Sequence, residues 1–183
     1  MATANVLRRE GTWAERLFSF IQRYPGVHLR EIRRRLSIPI GTLDYHLYRL
    51  GREGLISVRF QGGYKCCYPA VSAEQRGPIP EGQQALLALL RQPVPRALLL
   101  HLYLEGPSAP AKLAASIDTT GPNLSYFLKR LEHEGVLVRE GQGASRLVHL
   151  VDPKSVHEVL LLYPPLPETV IDRFLRFWSE LHP

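Results

Sequence analysis

Apolar residues recur three and four positions apart in Trp13, Leu17, Phe20 and Ile21, and the run stops at Tyr24-Pro25-Gly26. That spacing predicts a helix closed by a strong breaker cluster. Leu29, Ile32 and Leu36 form a second, shorter stripe. Ser37-Ile38-Pro39 then turns the chain into a third stripe of Leu43, Leu47 and Leu50, with the proline well placed at a helix start. Gly54 ends this helix. Residues 55–60 alternate like a strand, turn at Gln61-Gly62-Gly63 and return over residues 64–68.

Shifting the chain on itself by 81 positions aligns Leu43, Tyr45, Leu47, Arg49, Leu50, Glu53 and Gly54 with Leu124, Tyr126, Leu128, Arg130, Leu131, Glu134 and Gly135, without a gap. Leu17 and Leu98, Ile32 and Leu113, Leu36 and Ile117, Gln61 and Gln142, and Gly62 and Gly143 match at the same offset. Matches on core and turn positions predict two copies of one unit. The second copy then has helices over about 94–104, 109–116 and 120–134 and a hairpin over 136–151. Three helices followed by a hairpin is the order of a winged helix-turn-helix. The expected fold is mainly α with small β-hairpin wings (α+β): two tandem winged helix-turn-helix domains plus C-terminal helices. The first domain takes residues 1–70, a Pro- and Gly-rich linker 71–82, and a short apolar helix (83–90) with the second domain 83–152. Residues 153–183 carry two further helices, 153–162 and 168–181, split by Pro164-Pro165-Leu166-Pro167. The last holds Val170, Ile171, Phe174, Phe177 and Trp178 at helical spacing, as a packing or dimer surface would.

Charge separates the copies. Residues 1–70 hold 12 Lys/Arg against 5 Asp/Glu, residues 71–153 hold 8 against 8, and residues 154–183 hold 3 against 4. A basic block on a neutral remainder implies a polyanion site in the first copy. In a helix-turn-helix the third helix lies in the major groove and turns the face opposite its core stripe to the bases. Here that face carries Gly41, Thr42, Tyr45, Tyr48, Arg49 and Arg52. Arginine pairs bidentately with guanine and a threonine methyl packs on thymine, so Arg49, Arg52 and Thr42 are the expected base readers. Tyr45 and Tyr48 suit bases or phosphates, and His46 falls at the core edge. The second helix exposes Arg30, Arg33, Arg34 and Arg35 beside the phosphate backbone. Arg59 and Lys65 flank the wing tip, where phosphate or minor groove lies. In the second copy the same geometry selects Asn123, Tyr126, Lys129, Arg130 and His133 as a possible second DNA site, but its second helix offers only Lys112. That leaves DNA binding and a protein-interaction or ligand-sensing role both open for it.

Other chemistry is sparse. Cys66 and Cys67 are adjacent, which fits a reducing compartment; in a strand they face opposite ways, so one is expected packed and one exposed. Seven scattered histidines offer no ligand spacing, although His149 and His157 can approach in space. No metal, cofactor or catalytic constellation is expected, and the chain is not read as an enzyme. No apolar stretch reaches the roughly 20 residues of a membrane span, and the N-terminus has no apolar run behind its arginines. Residence in the cytoplasm, on the nucleoid, follows.

The stretch PGVHLREIRRRLSIPIGTLDYHLYRLGREGLI resembles winged-helix regulators common in archaea, relatives of the arsenic-responsive and multiple-antibiotic-resistance repressor families. GTLDYHL looks like their recognition-helix motif. The resemblance covers residues 14–69. In the second copy Gly121-Pro122-Asn123 departs from Ile40-Gly41-Thr42, while RQPVPRALLLHLYLEG resembles the start of second units in tandem regulators. It implies sequence-specific binding of double-stranded DNA as a homodimer and names no effector. The sequence therefore reads as a dimeric transcriptional regulator. An architectural protein binding DNA without sequence preference, and a protein-interaction component of a transcription or replication complex, are the alternatives.

Overall fold

Thr12 opens the first helix, α1 (Trp13–Arg23), through a capping box: its hydroxyl accepts from the Glu15 N–H and the Glu15 carboxylate accepts from the Thr12 N–H. This computed structural model describes residues 12–61, 63–72, 77–143, 146–163 and 165–166. Val27–His28 is a two-residue strand, β1, and His28 then caps α2 (Leu29–Leu36), its Nδ1 accepting from the Glu31 N–H at 3.2 Å. Ser37, at φ 52°, bends the chain into α3 (Ile40–Arg52), which β2 (Ile56–Gln61) and β3 (Tyr64–Pro69) follow. Next come α4 (Glu81–Leu90), α5 (Pro93–Glu105), α6 (Pro110–Ser116) and α7 (Gly121–His133). The strands β4 (Leu137–Glu140) and β5 (Leu147–Leu150) and the helix α8 (Pro153–Leu162) complete the described elements. The fold is mixed α+β, with small antiparallel sheets among the helices. The expected helix over 168–181 and the wing-tip Gly62 lie outside the described residues.

Residues 81 apart occupy matching places. Leu17, Ile32, Leu43, Leu47 and Leu50 are buried in one apolar cluster, and Leu98, Leu113, Leu124, Leu128 and Leu131 are buried in another. Gly54 and Gly135 both stand at φ +69°, where a side chain would be strained. After them Leu55 N–H bonds to Leu50 O and Val136 N–H to Leu131 O. Ser37 and Asp118 share the left-handed turn between the second and third helices. β1, which the hydrophobic pattern does not predict, pairs Val27 with Cys67, and its counterpart is the single bridge Ser108–Val148 at the same offset.

The sheet β1-β3-β2 is covered on both faces. Alternation along β3 sends Cys67 into the core of α1–α3, while Cys66 and Tyr68 enter the cluster built by α4 and the helices after it. The expectation of one packed and one exposed cysteine fails for this reason: both are buried, because α4 closes the face that an isolated wing would leave to solvent. The segment 71–82 is correspondingly no loose tether where it is described. Ile79 and Ser72 are buried, Ser72 Oγ lies 3.2 Å from the Tyr163 hydroxyl, and α4 already begins at Glu81.

Three contacts lock α4 to the elements before it. The Tyr68 hydroxyl donates to Gln84 O at 2.8 Å. Arg91 Nε donates to Pro25 O at 3.0 Å, and burial pulls that guanidinium down to about 10, still charged at neutral pH. Gly26, at φ +81°, lets α4 approach so closely that a Cβ would stand 2.9 Å from Leu87 Cβ and 3.0 Å from Ala88 N. Beyond α8, Leu166 returns to the first core, whereas Val156 and Val159 of α8 belong to the second.

Two stability measurements check this frame. Gly26→Ala combines a strained backbone with overpacking and should lower unfolding free energy by roughly 2–4 kcal/mol; a loss under about 1 kcal/mol in a denaturant titration is incompatible with so close an approach. The second concerns pH. Burial, aided by Arg30 and Arg34 against Glu31, holds His28 below its ordinary 6.5. The folded chain therefore resists a proton that the unfolded chain accepts, so stability is full above that value and falls as pH drops toward the folded pKa. His46 is lowered too, by burial and Arg49, and adds the same sign. His28→Asn keeps a cap without the titration and should flatten the melting-temperature slope between pH 7.5 and 5.5. An equal slope in the variant refutes the contribution of His28 protonation.

Candidate nucleic-acid interface

α3 buries Leu43, Leu47 and Leu50 and turns the opposite side outward. On it Tyr45 is 60% and Tyr48 67% exposed, Gly41 and Arg52 are exposed, and Thr42 and Arg49 are half-buried. Tyr45, Tyr48, Arg49, Arg52 and Glu53 line one open cleft of about 360 Å³. Arg49 Nε donates to Glu53 Oε1 at 2.9 Å, so this guanidinium is held in a fixed direction rather than loose. That hydrogen bond and the Glu53 charge raise its pKa further. Arg52 stands 6.0 Å over the Tyr48 ring. His46, half-buried, sits at the core edge as expected from the sequence.

The helix α2 presents Arg30, Arg33 and Arg34 around another cleft, of about 490 Å³, completed by Ser37, Ile38 and Pro39. Arg30 and Arg33 are exposed. Arg34 donates to Glu31 at 2.8 Å, and Arg35 bonds the same carboxylate. Burial opposes ionisation of Glu31, but these two hydrogen bonds outweigh it and hold the carboxyl below its ordinary value. Arg35 is only 11% exposed in its side chain and is drawn away from the other three, contrary to the exposed position expected for it.

The wing divides the pair that the sequence places together at its tip. Arg59 lies opposite Cys66 and Lys65 opposite Phe60, so the two cations occupy opposite faces of the hairpin. Arg59 shares the face of Cys66 and Tyr68 and stands 3.9 Å from Glu81 of α4. Lys65 shares the face of Ile56 and Cys67, which packs on the core of α3. Two residues missed by the charge-based reading, Val58 and Phe60, lie on that face, 42% and 75% exposed. The alternation from Ile56 to Phe60 was the available signal.

The elements 81 positions further along are built differently outside their core. Asn123, Tyr126, Lys129 and His133 are exposed on α7, with Asn123 Nδ2 donating to Thr119 Oγ1. Arg130 does not join them. Its Nη1 donates to Gln92 Oε1 at 2.9 Å, its Nε and Nη2 are enclosed, and its charge acts on Cys66, because Gln92 at the start of α5 lies against this side of α7. On α6, Lys112 is exposed, while Ala111, Ala114 and Ala115 stand at the offsets of Arg30, Arg33 and Arg34. Burial pushes the Cys66 thiol up to about 11 and the Cys67 thiol to about 12, leaving both protonated at neutral pH. His157 meets the Tyr103 hydroxyl at 2.5 Å and His149 stands 3.7 Å from Glu140. Among the described residues no group of three or more potential ligands could hold a metal, and no helix is long and apolar enough to cross a membrane.

No protein-family model matches the chain. Among curated proteins, an uncharacterized HTH-type transcriptional regulator of Methanocaldococcus jannaschii is 27% identical over 136 residues, 74% of this chain and 32% of that protein. The chain thus spans about a third of that relative's length. Two solved structures are similar at lower identity. The transcriptional regulator Tm0710 from Thermotoga maritima is 22% identical, with 55% of this chain and 80% of that one covered and a TM-score of 0.38. Reduced AbfR bound to DNA is 17% identical, with 84% and 95% covered and a TM-score of 0.39. In sequence, then, this chain is similar to a helix-turn-helix transcriptional regulator.

Proposed function

We propose that the chain is a DNA-binding transcriptional regulator of two tandem winged helix-turn-helix units, residues 1–70 and 83–152, in which the first unit reads duplex DNA. One observation carries the reading: the first unit has both an outward α3 face with Tyr45, Tyr48, Arg49 and Arg52 around a cleft and a cleft of α2 arginines, whereas the second has alanines at three of the cationic positions. Gly41, Thr42, Tyr45, Tyr48, Arg49 and Arg52 face the major groove. Arg30, Arg33 and Arg34 grip phosphates, and Lys65 extends the contact along the wing. Arg59, turned toward α4, contributes only at the edge. The relative's name as a transcriptional regulator supports this reading. The second unit serves assembly or sensing rather than base reading, because Arg130 is spent on packing against Gln92. The protein binds as a homodimer that matches a two-fold operator. The protein acts in the cytoplasm on the nucleoid, without a cofactor.

Sequences selected from a random duplex pool supply the site for a salt series. Arg33→Ala should weaken binding to every duplex and lower the salt slope by about 1. Arg49→Ala should relax discrimination at one base pair by about 1–3 kcal/mol, and Arg130→Ala should leave both unchanged. Equal affinity and footprint in the first two variants overturns the proposal; equal affinity for random and selected duplexes favours the architectural reading. For assembly, light scattering at micromolar concentration should give twice the 20.8 kDa chain mass, and a monomer there removes the dimer.

A further inference from the structure

We infer that the first wing carries an apolar wedge, Phe60, which enters the minor groove of the bound duplex and bends it by parting a base step. The inference rests on the reading of the first unit as a duplex-binding module. Phe60 is 75% exposed, more than any other aromatic side chain among the described residues. It ends a row on one face of β2 that begins with buried Ile56 and passes through Val58. That face packs at its base on the core of α3, so the row runs from beneath the reading helix out along the wing. The ribbon that presents it is firm. β2 and β3 stay in register from Ile56–Pro69 to Gln61–Tyr64, and the Tyr68 hydroxyl bonds the Gln61 side chain.

Two observations select DNA as the occupant. The first is charge: Lys65 lies directly across from Phe60 on the same face, residues 56–69 contain no Asp or Glu, and the acidic Glu81 stands beside Arg59 on the other face. A polyanion is the partner such a surround accepts, and minor-groove binders insert apolar side chains between base steps beside basic contacts. The second comes from the offset of 81. Where the first copy has Arg30, Arg33 and Arg34 the second has Ala111, Ala114 and Ala115, and where the first has Phe60 the second has Gly141. The aromatic is present with the phosphate-gripping arginines and absent with them, while the cores under both stay apolar. An aromatic needed for folding the hairpin has no reason to follow the arginines. Flexible pyrimidine–purine steps, which cost least to open, become the preferred sequence under the wing.

The experiment uses the full chain and its selected duplex, with 2-aminopurine at successive steps and a fluorophore at each end. Wild type should raise 2-aminopurine emission at one step under the wing and shorten the end-to-end distance. Phe60→Ala should abolish both changes and lose roughly tenfold in affinity, while Phe60→Leu keeps the bend. Circular dichroism should match wild type in both variants. Unchanged bend and affinity in Phe60→Ala overturns the wedge while leaving duplex reading intact, as does a change in its mass in solution, which places Phe60 between copies. Failure of the wild-type chain to bind any duplex overturns the underlying reading instead.

Discussion

The architecture depends on the covering of one strand. β3 has no solvent face through Cys66, Cys67 and Tyr68: one side is sealed by α1–α3, the other by α4. A small wing sheet ordinarily leaves one face wet, so its strands alternate apolar and polar. Here α4 occupies that face, and Gly26, Arg91 and Tyr68 are the means by which it does so. Gly26 removes the steric barrier to the approach. Arg91 satisfies a carbonyl of the breaker turn, and Tyr68 satisfies a carbonyl of α4. The last two are polar groups taken out of water and paired, which makes the junction specific as well as apolar.

The equivalence of positions 81 apart shows which parts of such a unit are physically constrained. Interior leucines, the glycine after the third helix and the left-handed residue between the second and third helices recur, since each fills a volume or holds a backbone angle that the packing demands. Exposed positions carry no such demand. Arg33 and Ala114 stand in the same place with opposite consequences for an anion. Arg49 and Arg130 are the same residue with different surroundings: one is aimed outward by Glu53, the other is held by Gln92 beneath the helix junction.

Much of the fold was legible because it rests on periodicity. The helices, hairpins and offset follow from apolar spacing and glycine placement, and the exposed face of α3 follows from the direction of Leu43, Leu47 and Leu50. What escaped depends on contacts between distant segments. Burial of both cysteines, enclosure of Arg130 and docking of residues 77–80 all require knowing where α4 lies. The two-residue β1 was too short to carry a pattern. Separation of Arg59 from Lys65 was within reach, since hairpin register fixes the faces, but charge alone does not disclose it.

The shared strand also has a mechanical meaning. β3 runs without interruption from Tyr64 at the wing to Tyr68 under α4, and Tyr68 is bonded to α4. No hinge separates these points. Hairpin and α4 are therefore joined through one unbroken strand rather than through a tether.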